Sequence, residues 1–129
     1  MSANDLSRAK ARLRRGDYTC VLVKGKQVLT SREKGITPLL KFIAGGSDFR
    51  GYCAADKIVG KAAALLYVYM GIEEVYAAVA SSAAATIIRS LQYEKLVPEI
   101  INRKGDGICP IEQAVKDIAT AEEAYLLLK

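Results

Sequence analysis

Apolar and polar positions alternate in blocks along the chain, and each block predicts one element. Between Asn4 and Gly16, the apolar residues Leu6, Ala9 and Leu13 recur at helical spacing among charged residues. This spacing predicts an amphipathic helix with a basic outer face. Asparagine is a favoured N-cap and glycine is favoured just past a helix end, so the two residues suit its boundaries.

Two short runs of apolar and β-branched residues follow this helix, at positions 18–24 and 27–31. Only Gly25 and Lys26 separate them. A two-residue connection between such runs is typical of an antiparallel hairpin. The pattern therefore predicts two paired strands near the amino terminus.

The middle of the chain predicts a short helix and then a long one. Thr37 and the proline after it suit the start of a helix that ends at Ala44, and positions 45–53 are predicted as a loop. From Asp56 to Gly71, apolar residues cover most of a helical circumference, which predicts one buried helix. This interpretation places Asp56 at a helix start.

Strands and helices alternate in the second half. Positions 74–80 and 97–101 are predicted as strands, and a helix at 83–92 lies between them. After a loop that contains glycine, Cys109 and the proline after it begin a further helix, whose apolar stripe runs on to Ala119. Thr120 begins the last helix.

This order of elements predicts the fold class. Alternating strands and helices after an opening hairpin favour an α/β fold, a three-layer α/β/α sandwich around a mixed, mostly parallel sheet of about four to five strands. The chain of 129 residues fits one domain.

Composition excludes several kinds of chemistry. The chain has no histidine, which excludes Ser-His-Asp and Cys-His catalysis and imidazole metal sites. Its formal net charge is +5, and the first helix is strongly basic. No set of aromatic residues for base stacking accompanies these charges, so we expect no nucleic-acid partner.

The three cysteines and the hydropathy pattern indicate the cellular compartment of the protein. Cys20, Cys53 and Cys109 are scattered, which is typical of free thiols in a reducing compartment. No apolar run approaches the length of a membrane span, and the start of the chain is charged. We therefore expect a cytoplasmic protein without a membrane partner.

Three predicted helix starts suggest a binding site. They lie at Asp56, at Ser81 with Ser82, and at Cys109. In open α/β sheets, ligands bind at the carboxyl ends of strands, where helix N-termini offer unpaired amides to anions. We therefore expect one shared pocket for a small anionic or nucleotide-like molecule, with no metal and no cofactor.

Each candidate residue has a structural alternative. Asp56 either caps its helix or acts as a general base, and Ser81 and Ser82 either cap theirs or bind phosphate. Lys57 and Lys61 are four residues apart, which would place both ammonium groups on one helix face, toward a ligand or solvent.

The third helix start supplies further candidates. Cys109 at a helix start is a candidate thiolate nucleophile, and Arg103 nearby would stabilise that thiolate. Asn102 and Glu112 complete the ligand-binding candidates.

Three segments together resemble a known family. They are Ala54 to Ala64, Ser81-Ser82-Ala83, and Cys109-Pro110-Ile111-Glu112. In this order they resemble the domain of unknown function family 1893, a resemblance that spans nearly the whole chain after the first helix. It implies a cytidine-deaminase-like fold and, since deaminase-like domains commonly assemble, a homo-oligomer.

The same resemblance implies where a deaminase would hold zinc. The two places correspond to residues 54–57 and to Ser81 with Ser82, and neither offers histidine or paired cysteines. We therefore expect no zinc and no hydrolytic deamination.

Three hypotheses for function remain open. The first is a binding site for an anionic or nucleotide-like ligand. The second is a thiol-dependent enzyme in which Cys109 is the nucleophile and Asp56 or Glu112 transfers protons. The third is a non-catalytic protein that acts through contacts, with the apolar residues 125–128 favouring self-association.

Overall fold

The computed structural model describes residues 2–101 and 107–129, with side chains from Asp5 onward. The elements in these residues are α1 (Ser2–Arg15), β1 (Cys20–Lys24), β2 (Gln27–Ser31), α2 (Thr37–Ala44), β3 (Cys53–Val59), α3 (Lys61–Met70), β4 (Glu74–Ser81), α4 (Ser82–Ile87), β5 (Gln92–Val97), α5 (Pro110–Ala114) and α6 (Ala121–Leu128). No helix in these two ranges is long and apolar enough to cross a membrane.

The five strands form one mixed sheet with the order β2-β1-β3-β4-β5. β1 is antiparallel to both β2 and β3, whereas β3 pairs with β4, and β4 with β5, in parallel. The predicted hairpin is confirmed, with Lys24 opposite Gln27. β3 is the central strand, and Cys20 on β1 lies opposite its residue Asp56.

One face of the sheet packs against α1. Leu6, Ala9 and Leu13 are buried there against Val21 and Tyr76 and their neighbours on the sheet. These are the three positions that form the predicted apolar stripe, so the amphipathic helix is confirmed. It begins at Ser2, slightly before the predicted start.

The other face is covered by α2, α3, α4 and α6 and holds the larger part of the core. α3 lies at its centre and contacts α2, α4 and α6. Because helices surround it, seven of its ten residues are buried, including Leu66 and Tyr67. This packing explains why its sequence is apolar on nearly every side.

The prediction of a helix from Asp56 is wrong, because residues 53–59 form the central strand. A central strand is buried on both faces and has a continuous apolar sequence, which periodicity does not distinguish from a buried helix. The helix begins only after Gly60, at Lys61. Asp56 and Lys57 are therefore strand residues, and the interpretation of Asp56 as a helix cap is wrong.

The last strand, β5, was also predicted in the wrong place. It covers Gln92–Val97 instead of residues 97–101, and α4 ends at Ile87. β5 is an edge strand with mostly exposed residues, so it lacks the apolar alternation that indicates a strand. Similarly, α5 ends at Ala114, whereas the predicted helix continued to Ala119.

Candidate functional site

A cavity of about 390 Å³ opens at the carboxyl end of β3, between the starts of α3 and α5. Its lining residues come from these elements and the loops beside them: Thr19, Lys34, Gly35, Ile36, Asp56, Lys57, Ile58, Gly60, Ala63, Ile100, Ile101, Cys109, Pro110, Ile111 and Glu112. The structure thus brings Asp56, Cys109 and Glu112 together, as the sequence predicts. Isoleucines make the walls mostly apolar.

Asp56 is the buried carboxyl group of this cavity, with only 7% of the residue exposed. The Tyr67 hydroxyl donates a hydrogen bond of 2.7 Å to its Oδ2, and the Ile58 amide donates one of 3.3 Å to its Oδ1. Burial disfavours the charged form and raises the pKa of Asp56 to about 7, although these two hydrogen bonds and one from the Lys57 amide act in the opposite direction. A carboxyl group of this kind can exchange a proton near neutral pH.

Tyr67 connects Asp56 to a buried thiol. Its hydroxyl oxygen lies 3.3 Å from the Sγ of Cys20, and both side chains are fully enclosed. Burial raises the pKa of the tyrosine and the pKa of the thiol well above their usual values, and the Asp56 carboxylate raises both further. Both groups are therefore neutral at physiological pH and act only as hydrogen-bond partners.

The side chain of Lys57 lies on the opposite face of the sheet from that of Asp56. Successive residues of a strand point to opposite faces, and the Lys57 Nζ is 3.9 Å from Asp17 Oδ1 near α1. The prediction that Lys57 and Lys61 share a helix face is therefore wrong, because only Lys61 belongs to a helix.

Lys61 begins α3, and its polar groups already have partners in the protein. Its ammonium group donates a hydrogen bond of 2.8 Å to the carbonyl oxygen of Lys116. Its backbone amide donates one of 2.7 Å to Glu112 Oε1, and the Ala62 amide donates one of 3.0 Å to Glu112 Oε2. Lys61 is not among the residues that line the cavity.

Glu112 therefore caps α3 from another helix. The N-cap residue Gly60 makes no side-chain cap of its own. A Cβ atom at position 60 would collide with the Glu112 carboxylate, so glycine leaves the space that this carboxylate fills. The helix terminus that the sequence offers to an external anion is thus occupied by an anion of the protein itself.

The two serines do not line the cavity. Ser81 is buried and caps α4, since its Oγ accepts a hydrogen bond of 3.1 Å from the Ala84 amide. The Ser82 hydroxyl donates one of 3.4 Å to the Val97 carbonyl oxygen. The expectation that three helix starts share one pocket is therefore wrong for the start of α4, because Ser81 and Ser82 have local structural roles.

Cys109 lies at the cavity as the N-cap of α5. It is half-buried, and its amide donates a hydrogen bond of 2.9 Å to the Ile100 carbonyl oxygen. The predicted start of this helix is confirmed. Two further candidates, Asn102 and Arg103, lie outside the described residues.

Sequence reasoning missed Tyr67, the partner of Asp56. One signal was available, since a tyrosine inside an apolar helix needs a hydrogen-bond partner once it is buried. The apolar walls from Ile36 and Ile100 were also missed, because neither residue belongs to a strand or helix that would indicate its direction.

Within residues 2–101 and 107–129, no group of three or more acidic or cysteine side chains is placed to hold a metal ion. At the start of α3, Gly60 and Lys61 offer no zinc ligand, and the serines at the start of α4 offer only hydroxyl groups. Residues 54–57, one of the two places that correspond to the zinc site of a deaminase, are part of β3. The donor set at the starts of α3 and α4 therefore does not fit zinc.

Comparison with known proteins gives a family and a fold. The model of a family described as a domain of unknown function (DUF1893) matches residues 8–129. A DUF1893 family protein from Thermotoga maritima has a similar crystal structure, with a TM-score of 0.90 and 24% sequence identity over 99% of this chain and 90% of that chain. None of the curated proteins matches the sequence.

Proposed function

The chain belongs to the DUF1893 family, and on this premise we propose that the cavity beside Asp56 binds a small organic molecule of nucleoside-like size without zinc. The volume of about 390 Å³ lies within the usual range for small-molecule sites. Apolar walls with a few polar groups are typical of such sites. The chain would then be a binding protein, and catalysis is a separate question.

The burial of Asp56 at this cavity is the observation that carries the proposal. A carboxyl group that is 7% exposed costs stability, so a purely structural core would favour an apolar residue here. Its partner Tyr67 donates to Oδ2 and leaves acceptor capacity on the carboxylate for a ligand. A nucleobase-like ring would pack on the isoleucines while its polar edge contacts Asp56.

The structure offers fewer partners for the anionic part of a nucleotide-like ligand than for its ring. Glu112 occupies the amides at the start of α3, and the Lys57 ammonium group lies toward Asp17. Lys34 is the remaining cation among the described lining residues. We therefore expect nucleosides to bind about as well as the corresponding nucleotides.

The cytidine-deaminase-like arrangement is part of the same proposal. It is supported by the position of the cavity, where the starts of two helices meet the carboxyl end of a central strand. The residues at the starts of α3 and α4 do not suit zinc, so the proposal includes no zinc-activated water and no hydrolytic deamination.

Thermal-shift measurements with nucleosides, nucleotides and simple carboxylates test the proposal. A ligand that binds only the folded protein raises its melting temperature. I111W should reduce this shift by filling the mouth of the cavity, whereas L126W on exposed α6 should leave it unchanged. If none of these compounds stabilises the protein at millimolar concentration, the proposal is wrong.

Cys109 supports a second candidate, a thiol-dependent enzyme. Its position in the same cavity as Asp56 would give a nucleophile and a proton acceptor access to one ligand. Alkylation of Cys109 faster than that of a free model thiol would favour this function. An ordinary alkylation rate would exclude it.

Exposed apolar residues support a third candidate, a homo-oligomer that acts through contacts. They lie on α3 and α6 and include Val68, Leu126 and Leu127. Light scattering of the wild type and of L126E/L127E would test it. A wild-type protein that remains a monomer would exclude it.

A further inference from the structure

We infer that the cavity prefers a ligand with a protonated amine, amidine or guanidine group, whose positive charge pairs with the Asp56 carboxylate. This inference rests on the proposed function, since it names the chemical class of the molecule that the cavity binds. It follows from the charged groups around Asp56, from its hydrogen bonds and from the cavity walls.

The described part of the chain provides Asp56 with no ion-pair partner. The groups that face it from α3 and β1 are the Tyr67 hydroxyl and the Cys20 thiol, and both are neutral. A buried carboxylate without a partner is costly, so a cation that enters the cavity would gain from pairing with it.

None of the other charged groups in the described cavity lining forms an ion pair with the Asp56 carboxylate. The Lys57 ammonium group is on the far face of the sheet beside Asp17, and Lys34 is exposed and forms none of the described ion pairs. The Glu112 carboxylate accepts hydrogen bonds from the first amides of α3. The cavity therefore lacks a described countercharge for Asp56.

The hydrogen bonds of Asp56 leave capacity for a donor from the ligand. Oδ2 accepts the short bond from Tyr67, Oδ1 accepts a longer bond of 3.3 Å from the Ile58 amide, and the Lys57 amide also interacts with the carboxylate. A carboxylate can accept about four hydrogen bonds, and planar amidine and guanidine groups supply two parallel donors.

The apolar walls favour the same class of ligand. The half-buried Ile36 and Ile100 line the cavity and reduce the access of water to an ion pair formed inside it. Charge pairs are stronger where water is excluded. A cation with a flat or alkyl apolar part would fill the space between these side chains.

The test compares benzamidine with benzamide, which have nearly the same shape and differ in charge. Binding would be followed by NMR shifts of the backbone amides of Ile58, Gly60 and Cys109 at about pH 8, where Asp56 is mostly ionised. We expect benzamidine to bind at least about tenfold more tightly than benzamide. The preference should decrease at about pH 5.5, where Asp56 takes up a proton.

D56N and D17N provide the matched pair of variants. D56N keeps the size of the side chain and removes its charge, so it should bind both compounds equally. D17N removes an exposed carboxylate on the other face and should keep the preference. If D56N does not fold, calorimetry of the wild type in two buffers near pH 7 replaces it, because pairing with benzamidine should release protons from Asp56.

The possible outcomes separate this inference from the proposed function. If benzamide binds as tightly as benzamidine, the cavity binds small molecules but the preference for a cation is wrong. A preference that survives in D56N, or binding without proton release, also overturns the inference. If neither compound shifts the cavity resonances while nucleosides raise the melting temperature, only the inference fails. If no compound binds by either method, the proposed function fails with it.

Discussion

Asp56 combines three features on one residue. It lies on the central strand, it is buried, and its carboxyl group borders a cavity. Burial raises its pKa to about 7. Because the chain has no histidine, the usual group that titrates near neutral pH is missing, and the effect of Asp56 on stability can be measured with little interference.

We predict that D56N alters the pH dependence of stability. The folded state holds the Asp56 proton up to about pH 7, whereas the unfolded state releases it near pH 4. The folded state therefore binds more protons between these values, and the wild-type free energy of unfolding falls as pH rises, by up to about 4 kcal/mol. D56N should lack this decline, as measured by urea unfolding from about pH 4 to 8.

D17N is the control for this experiment, because its carboxylate is almost fully exposed. It should keep the wild-type decline. Parallel curves for D56N and the wild type would show that the Asp56 pKa is near its ordinary value in the folded protein.

We predict that Y67F destabilises the protein by about 1–3 kcal/mol, because a buried carboxyl oxygen loses its donor. The hydrogen bond from Tyr67 lowers the pKa of Asp56, so its removal should raise that pKa further. Urea unfolding measures the first effect, and carboxyl ¹³C NMR measures the second. Y69F on the same helix, where the ring is partly exposed and stacks on Tyr125, should change stability by less than about 0.5 kcal/mol. An unchanged Asp56 pKa in Y67F would contradict the assigned hydrogen bond.

At the scale of elements, the start of α3 depends on α5. Glu112 accepts hydrogen bonds from the two amides at the start of α3, and Gly60 leaves room for its carboxylate. The Lys61 ammonium group adds a hydrogen bond to Lys116, just beyond α5. These contacts join the start of α5 to the start of α3, and both helix starts lie at the cavity.

We predict that Gly60 and Glu112 are energetically coupled. E112A should cost about 1 kcal/mol by removing the cap, and E112Q should cost less because its amide oxygen still accepts a hydrogen bond. G60A should also destabilise the protein, because its Cβ collides with the carboxylate. In the double variant G60A/E112A this collision is absent, so the total cost should be smaller than the sum of the two single costs, as urea unfolding would measure. Additive costs would contradict the contact.

At the scale of the whole molecule, the two faces of the sheet are covered unequally. Among the described residues, α1 alone covers one face, and α2, α3, α4 and α6 pack on the other. The small core under α1 includes Leu6, Leu13 and Tyr76. The stability of this face therefore depends on a few side chains.

We predict that L13A lowers the free energy of unfolding by about 2–5 kcal/mol, because the truncation leaves a cavity between α1 and the sheet. L126A removes the same atoms from a residue that is 57% exposed and should change stability by less than about 0.5 kcal/mol. Urea unfolding of both variants measures the difference. Equal costs would mean that α1 contributes little to the stability of the sheet.

The sequence by itself determined the elements with local signals. The stripe through Leu6 and Leu13, the hairpin at Gly25, and the helix starts at Cys109 and Thr120 all depend on residues within a few positions of one another. It also indicated the family. For the candidate site, it predicted that Asp56, Cys109 and Glu112 lie close together, because the ends of strands in α/β folds meet at a common edge.

Only the tertiary structure decided the rest. The apolar run around Asp56 suits a buried helix and a central strand equally well, and pairing with β1 and β4 makes it a strand. The position of β5 was also decided by the tertiary structure, because its exposed residues carry no strand pattern. Glu112 caps a helix that begins 51 positions earlier, and Tyr67 reaches Asp56 across the core. Such contacts depend on how layers pack, and packing brings together residues that no local pattern relates.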